Sequence, residues 1–531
     1  MILLQNWQLE KCVYLSDKEK NVSNVMVINM GMKSIRCIIF DSHGVKLGSA
    51  ACPISTAIND NQVEQNPVEW TQKAEKVMQQ ALWEAGKCRI DYVTITASAS
   101  CLICVDKDGK PLCNAYMVSD KRAEKEAEEI QNLPEFETVR KQTQTDMSAS
   151  LMLPKILWVK KNLPDIFSKT MYFLSPDDFM MSFLSGEYVT DYFNAVKYHY
   201  NLSAKMYPMK LLKVLGISCE KLPKVVDIGT DIGVIRGTLA EKLGISKEAR
   251  VVVSSYDAIC SLIGSGVSEE GEASDVSGTV TVFRAFTKKN SLIENSQIYQ
   301  VPLFRENAQI VGGSNNLGGG LIEWVKQCYY QKEEYPYEVM EKEAGESEIG
   351  ARGLVFLPYL LGERAPLWND NARGVFFGIE RMHTRKDMTR AVFESTGFID
   401  RDMMAAVEKT GVEIRKVRLS GGLARLNLIS QIKSDIMGRD VEVLAEFETT
   451  ALGAAMIVLL GKGEYPDLKT IAVVFVKIRM IIKPDTEKHK IYENMYHLYQ
   501  DTYKTLQPLF VRRKQVLEKI RSDREVKIEN L

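Results

Sequence analysis

Val25, Met26, Val27 and Ile28 form an apolar run that ends at Asn29 and Gly31, and a second run over 35–40 leads into the turn Asp41-Ser42-His43-Gly44. A third strand is expected from Val45, so the organised part of the chain opens as a β-meander. After Pro67 the period changes. Trp70, Ala74, Val77, Met78, Ala81 and Leu82 recur at helical spacing, predicting an amphipathic helix over 67–85 that starts at a proline. Strands are expected at 92–97 and 101–105, with a turn at Asp106-Lys107-Asp108-Gly109. A comparable pattern returns later: a β-branched and aromatic strand over 279–286, a long helix over 389–409, and a strand at 417–419. Ser420-Gly421-Gly422 then turns into a helix over 426–437, a strand at 441–444 and a helix over 449–460. Strands alternate with helices in both halves, which predicts an α/β architecture with mixed sheets.

The length divides this pattern. At 531 residues the chain exceeds what one hydrophobic core supports, roughly 250–300 residues, so two large domains are expected. The small, polar, acidic segment SGVSEEGEASDVSG at 265–278 reads as the junction between them. From Pro484 onward Tyr492, Tyr496, Tyr499 and Tyr503 stripe a helix whose charged end over 512–531 reads as a solvated tail. The apolar stretch 471–482 fits a buried strand or a subunit contact equally well.

Charge and cysteine content narrow the function classes. With 68 basic and 69 acidic side chains, the net charge of -1 gives no bulk field for nucleic acid or an anionic membrane, and neither is expected as a partner. No run approaches the ~20 apolar residues of a membrane span. The first twenty residues lack a basic region, apolar core and small-residue cleavage site in the order a signal peptide requires. Ten cysteines without the dense spacing of a disulfide scaffold favour a reducing, cytoplasmic setting.

No segment fits the phosphate-binding loop of Gly, four residues, then Gly-Lys-Ser/Thr. Cys101 and Cys104 form a C-x-x-C, but with no second pair at zinc spacing they read as strand residues. The five histidines show no metalloprotease pairing. Three turns are more informative together: Asn29-Met30-Gly31, Ser277-Gly278-Thr279 and Ser420-Gly421-Gly422. Glycine at such positions lets backbone N–H groups approach phosphate oxygens, and a hydroxyl adds a donor. Asp257 follows the apolar strand 251–253 and precedes a glycine-rich helix. The residue there is either a helix cap or a carboxylate facing a ligand.

These residues resemble the FGGY carbohydrate kinases of the actin/hexokinase superfamily. The most specific match runs from Leu357 through Gly362-Glu363-Arg364-Ala365-Pro366-Leu367-Trp368 to Ala372-Arg373-Gly374 and Gly378, and is most similar to the gluconate and xylulose kinase branches. A second comprises Leu419-Ser420-Gly421-Gly422-Leu423-Ala424-Arg425, Gln431, Asp435 and Ala451-Leu452-Gly453-Ala454-Ala455. Weaker similarity covers Val63–Pro67 residue by residue, Asp120-x-Arg122, 155–158, Pro176-Asp177-Asp178 and 184–187. The match is collinear over about 24–510.

The resemblance implies two ribonuclease-H-like α/β domains around an interdomain cleft. An extension at 1–23 precedes a sugar-binding domain at 24–267, a nucleotide-binding domain at 268–465 and a helical tail at 466–531. It implies ATP and magnesium as cofactors, a small carbohydrate as substrate, and is compatible with a homodimer. Asp257 aligns with the family's catalytic aspartate. Gly31, Lys33, Gly278, Thr279, Gly318, Gly421, Gly422 and Leu423 fall on the ATP site. Ala99, Ser100, Asp120, Arg122 and Asp257 fall on the acceptor site, and Asn29 and Asp257 at the metal.

The departures are local. The family's first phosphate loop reads D-x-G-T-T/S-S, whereas here Asn29 lacks the carboxylate and Met32 the hydroxyl; Lys33 is a candidate replacement contact. Xylulose kinases carry Met-His where this chain has Ala99-Ser100, and Trp where it has Val118. Three readings follow: an active carbohydrate kinase, a weakened homologue that binds sugar or nucleotide as a regulator, and an actin-like ATPase.

Overall fold

The computed structural model describes residues 22–143, 145–289, 293, 297–303 and 306–529, with side chains to residue 520. Most of the expected 1–23 extension and the end of the charged tail lie outside the described residues. The chain forms two compact units, one of residues 1–266 with 448–476, the other of 267–447 with 477–531. The first break falls inside the expected junction. The return of 448–476 to the first unit differs from the expected division at 465.

The first unit is built on a six-stranded sheet. Its strands lie in the order Asp231–Val234, Arg250–Val252, Tyr92–Ala97, Asn24–Met30, Ser34–Asp41, Lys46–Pro53. The last three form the expected meander, and Tyr92–Ala97 pairs parallel to both Asn24–Met30 and Arg250–Val252. The helix Pro67–Glu84 starts at its proline, is capped by Asn66, and buries the apolar stripe read from its period.

The second unit is built on a seven-stranded sheet: Tyr299–Leu303, Ala308–Ser314, Thr281–Thr287, Glu272–Ser277, Lys416–Gly421, Asp440–Leu444, Ile478–Ile482. Glu272–Ser277 is a central strand, buried at five of its six positions, where the sequence predicts a polar junction. Its charges are neutralised across the fold. Glu272 pairs with Lys416 at 2.9 Å and Arg418 at 3.1 Å, and Asp275 pairs with Lys433. Composition cannot register partners that lie more than 140 residues away.

The apolar stretch 471–482 is split between a helix, Leu468–Phe475, and the edge strand Ile478–Ile482. The tyrosine stripe belongs to a helix, Thr486–Glu529, that packs into the core of the second unit: Tyr492 reaches Arg390 and Glu394, and Tyr496 reaches Asp402. Among the described residues no helix is long and apolar enough to cross a membrane.

Candidate active site

Each unit gathers part of the expected chemistry at the carboxyl ends of its parallel strands. In the first unit, Asn24–Met30 turns tightly into Ser34–Asp41, with Gly31 N donating to the Ser34 carbonyl at 3.0 Å. Asn29 is buried at the strand end, opposite Arg36 in one ladder and Thr96 in the other. Arg36 Nη1 is bound by both carboxylate oxygens of Glu448. Met32 packs against the apolar core, while Lys33 is exposed.

Asp257 is the first residue of the helix Asp257–Gly264 and its only first-turn acid. The positive end of the helix dipole favours a negative charge there. The side chain is half-buried and accepts a hydrogen bond from Ser98 Oγ at 3.2 Å. It is not the helix cap, because the capping position belongs to Tyr256, which makes no side-chain cap bond.

Three further aspartates surround this region. Asp177 accepts from Ala97 N at 2.8 Å, and Asp191 accepts from Ser255 Oγ at 2.9 Å and Asn194 Nδ2 at 2.8 Å. Asn194 Nδ2 also lies 3.4 Å from Asp177 Oδ2, so these bonds tie the loop after Tyr92–Ala97 to the segment that delivers Asp257. Burial pushes Asp178 up to about 7 and Asp191 up to about 6. Burial, reinforced by the charges of Asp191, Asp178 and Asp257, holds Asp177 well above the usual carboxylate range. The tendency of these groups to take protons limits like-charge repulsion around Asp257.

Ala99 and Ser100 lie in the same loop, Ser100 in the left-handed conformation at φ 63°. Lys155 holds this loop. Its fully buried ammonium donates to the carbonyls of Ser100 at 2.6 Å and Met117 at 2.8 Å, and burial pushes it down to about 8. Asp120 has both oxygens engaged: Val63 N donates at 2.7 Å, and Arg122 clamps it through Nε at 2.9 Å and Nη2 at 2.8 Å. Arg122 also donates to Glu64 at 2.6 Å and stacks on the rings of Tyr116 and Trp158, at 4.1 and 5.0 Å from their centroids. Asp120 thus fixes Arg122, and its own side chain is fully buried.

In the second unit the expected nucleotide residues converge. Ser277 lies beside Gly421 in the parallel ladder, and Gly422 N donates to Ser277 O at 2.8 Å. Gly421 has φ +83°, and a Cβ there would strike Ser277 O at 2.5 Å, so the position requires glycine. Gly318 N donates to Thr279 O and Gly319 N to Gly278 O, both at 2.8 Å. Gly278, Thr279 and Gly422 are exposed. A Cβ on Gly278 would meet only Val280 O, at 3.9 Å, and one on Gly422 only Ser277 O, at 3.8 Å. Their main chains are open to approach from outside the fold, a surface that fits polyphosphate. Gly318 and Leu423 are buried beneath it, as packing for the turns.

Two supports are not apparent from the sequence pattern. Lys433 lies almost fully buried between Asp275 and Asp400, 2.8 Å from the latter, and its Nζ is 3.3 Å from Ser277 Oγ, directly before the glycine turn. Glu363, in the most specific family segment, accepts from Asn316 N at 2.9 Å and so braces the segment leading to Gly318. Lys433 falls within the buried stripe of the helix Asn427–Met437, where a charge demands a partner; that is the one signal sequence reasoning could have used. Among the described residues no three His, Cys, Asp or Glu side chains form a metal cluster.

Comparison with known proteins agrees with this geometry. Residues 24–264 match the N-terminal domain, and residues 275–460 the C-terminal domain, of the FGGY family of carbohydrate kinases. A gluconokinase of Bacillus subtilis is 27% identical over 508 residues, covering 93% of this chain and 96% of its own. A xylulose kinase of Staphylococcus epidermidis is 25% identical over 493 residues, covering 91% and 97%. The crystal structure of ligand-bound xylulose kinase from Lactobacillus acidophilus superposes with a TM-score of 0.85 at 23% identity, covering 92% of this chain and 99% of that one. The chain belongs to the FGGY family of carbohydrate kinases, phosphotransferases that use an alcohol group as acceptor.

Proposed function

We propose that this protein transfers the γ-phosphoryl group of magnesium-bound ATP to a hydroxyl of a small sugar, polyol or sugar acid, with Asp257 as the proton acceptor. The observation that carries this reading is the exposed pair of turns in the second unit, Gly278-Thr279 and Gly421-Gly422. They offer open main chain and a hydroxyl to phosphate oxygens. Asp257 supplies the half-buried carboxylate that a poorly acidic alcohol needs as its O–P bond forms, a contribution of typically ~10²–10⁴-fold. Ser98 orients that carboxylate, and Lys155 fixes the loop carrying Ala99 and Ser100. Arg122 lines the acceptor side as a donor held in place by Asp120 and Glu64. Asn29 would offer a nucleotide-bound magnesium, or its waters, an amide oxygen where the family has a carboxylate, and the metal would supply charge neutralisation on the phosphates. Phosphoryl transfer asks the protein mainly to position reactants and stabilise charge, which these fixed groups suit.

The test is ADP release from ATP in the presence of pentuloses, polyols and aldonates in turn. The expected result is release stimulated by one acceptor class. Saturable nucleotide binding by calorimetry with no acceptor-stimulated release would overturn it and favour the second reading, a sugar- or nucleotide-binding regulator. That reading draws on the first loop, where Met32 faces the core and no hydroxyl replaces it. Its own test is the double change Asn29→Asp, Met32→Thr, which on that reading creates turnover.

A further inference from the structure

A hairpin in the first unit holds two thiols together. The strand Ile103–Val105 turns through Asp106 and Gly109, and the return is closed by Leu112 N donating to Cys104 O at 2.9 Å and by a bridge between Val105 and Pro111. Leu102 and Cys104 face a core patch that includes Tyr116, and Cys113 packs at the edge of the same patch, while Ile103 and Val105 face the other way. The Cys104 thiol is buried, and Cys113 is half-buried. Cys113 Sγ also reaches Tyr116 Oη at 3.7 Å. Cys101, the C-x-x-C neighbour of Cys104, belongs to the opposite patch and turns its sulfur to Ala99 O at 3.8 Å. The geometric pair is Cys104–Cys113.

The surroundings set Cys113 apart from the buried thiols of Cys101 and Cys260. The hydrogen bond from Cys104 draws Cys113 down to about 7, helped by Tyr116 and Arg122 and opposed by burial and Glu64; Lys221 faces Cys104. Burial instead pushes Cys101 up to about 11 and Cys260 to about 12. A thiolate with a neighbouring thiol is the arrangement that oxidises reversibly.

We propose that Cys104 and Cys113 are a reversible oxidation site, closing to an intramolecular disulfide on exposure to a hydroperoxide. The Cys113 thiolate attacks the peroxide, an S–O bond forms as O–O breaks, and the leaving oxygen takes a proton to become water or an alcohol. Cys104 sulfur then attacks Cys113 sulfur; S–S forms, S–O breaks, and water leaves with the Cys104 proton. Two thiols lose two electrons in all and the peroxide gains them; a dithiol reverses the reaction. Because Cys113 touches Tyr116, and Tyr116 carries the Arg122 guanidinium, closure acts on the acceptor strip. This last consequence rests on the proposed function, whereas the disulfide does not.

Full-length protein treated with hydrogen peroxide, alkylated and mapped by mass spectrometry is expected to yield a peptide joining 104 to 113 that dithiothreitol removes. Cys113→Ser removes it, and Cys104→Ser leaves a sulfenic acid at 113 that dimedone labels. Should Cys104→Ser fail to fold, the half-buried Cys113→Ser decides alone. Linkage of another pair, or oxidation of Cys113 directly to sulfinic acid, overturns the site. With turnover established, oxidation is expected to raise the acceptor KM at least threefold with the ATP KM unchanged; an unchanged acceptor KM overturns the coupling to Arg122 and leaves the mapped disulfide intact.

Discussion

Two buried lysines do most of the holding near the site. Lys155 carries its charge in a fully buried position where only carbonyls receive it, so burial lowers it from the usual lysine value to about 8. The sign follows from linkage. Between about pH 8 and the ordinary lysine value the folded chain has released this proton while the unfolded chain still binds it, so stability rises with pH across that window. Relative to Lys155→Met, the wild type is expected to gain up to ~3 kcal/mol there, read from urea unfolding at a series of pH values. A difference that stays constant from pH 7.5 to 10.5 would contradict the assignment. Lys433 is the opposite case, since two carboxylates hold its proton in place against burial. Lys433→Met leaves Asp275 and Asp400 buried without their cation and is expected to cost about 3–5 kcal/mol. Replacing both aspartates by leucine in the same protein should recover most of that loss.

At the scale of elements, the helices Asp257–Gly264 and Thr449–Gly461 lie in main-chain contact within the first unit. A Cβ on Gly264 would fall 1.9 Å from Thr449 O, and one on Gly453 would fall 1.8 Å from Cys260 O. The Ala-Leu-Gly-Ala-Ala run is therefore a packing surface, and through it the later helix fixes the one that presents Asp257. Gly453→Ala must force the helices apart. It is expected to cost 1–3 kcal/mol or more and to lower the melting temperature by several degrees, with transfer rate falling further than nucleotide affinity. Elements with a clear local period were legible beforehand. The meander and the helix from Pro67 show in local pattern, and the turn at 421 shows as a Ser-Gly-Gly run although its close partner, Ser277, is distant in sequence. Glu272–Ser277 was not legible, because its acidic residues are made burial-compatible only by Lys416, Arg418 and Lys433. Nor was the thiol pair. Spacing points to Cys101 and Cys104, whereas those two side chains belong to different core patches and Cys113 packs at the edge of the Cys104 patch.

Across the whole molecule, both units set antiparallel strands beside two parallel ones, three antiparallel strands in the first unit and four in the second, and each presents its chemistry where the parallel strands end. In the first unit that end carries a carboxylate in a hydrogen-bonded setting; in the second it carries open glycine turns. This division of labour is the central claim, and Asp257 is the side chain on which it depends most. The direct measurement is single-turnover transfer of labelled γ-phosphate from ATP to the acceptor, comparing wild type with Asp257→Ala, alongside calorimetric ATP affinity. A base at this position predicts a loss of roughly 10²–10⁴-fold in transfer with ATP affinity unchanged. Transfer by Asp257→Ala at the wild-type rate would contradict the account.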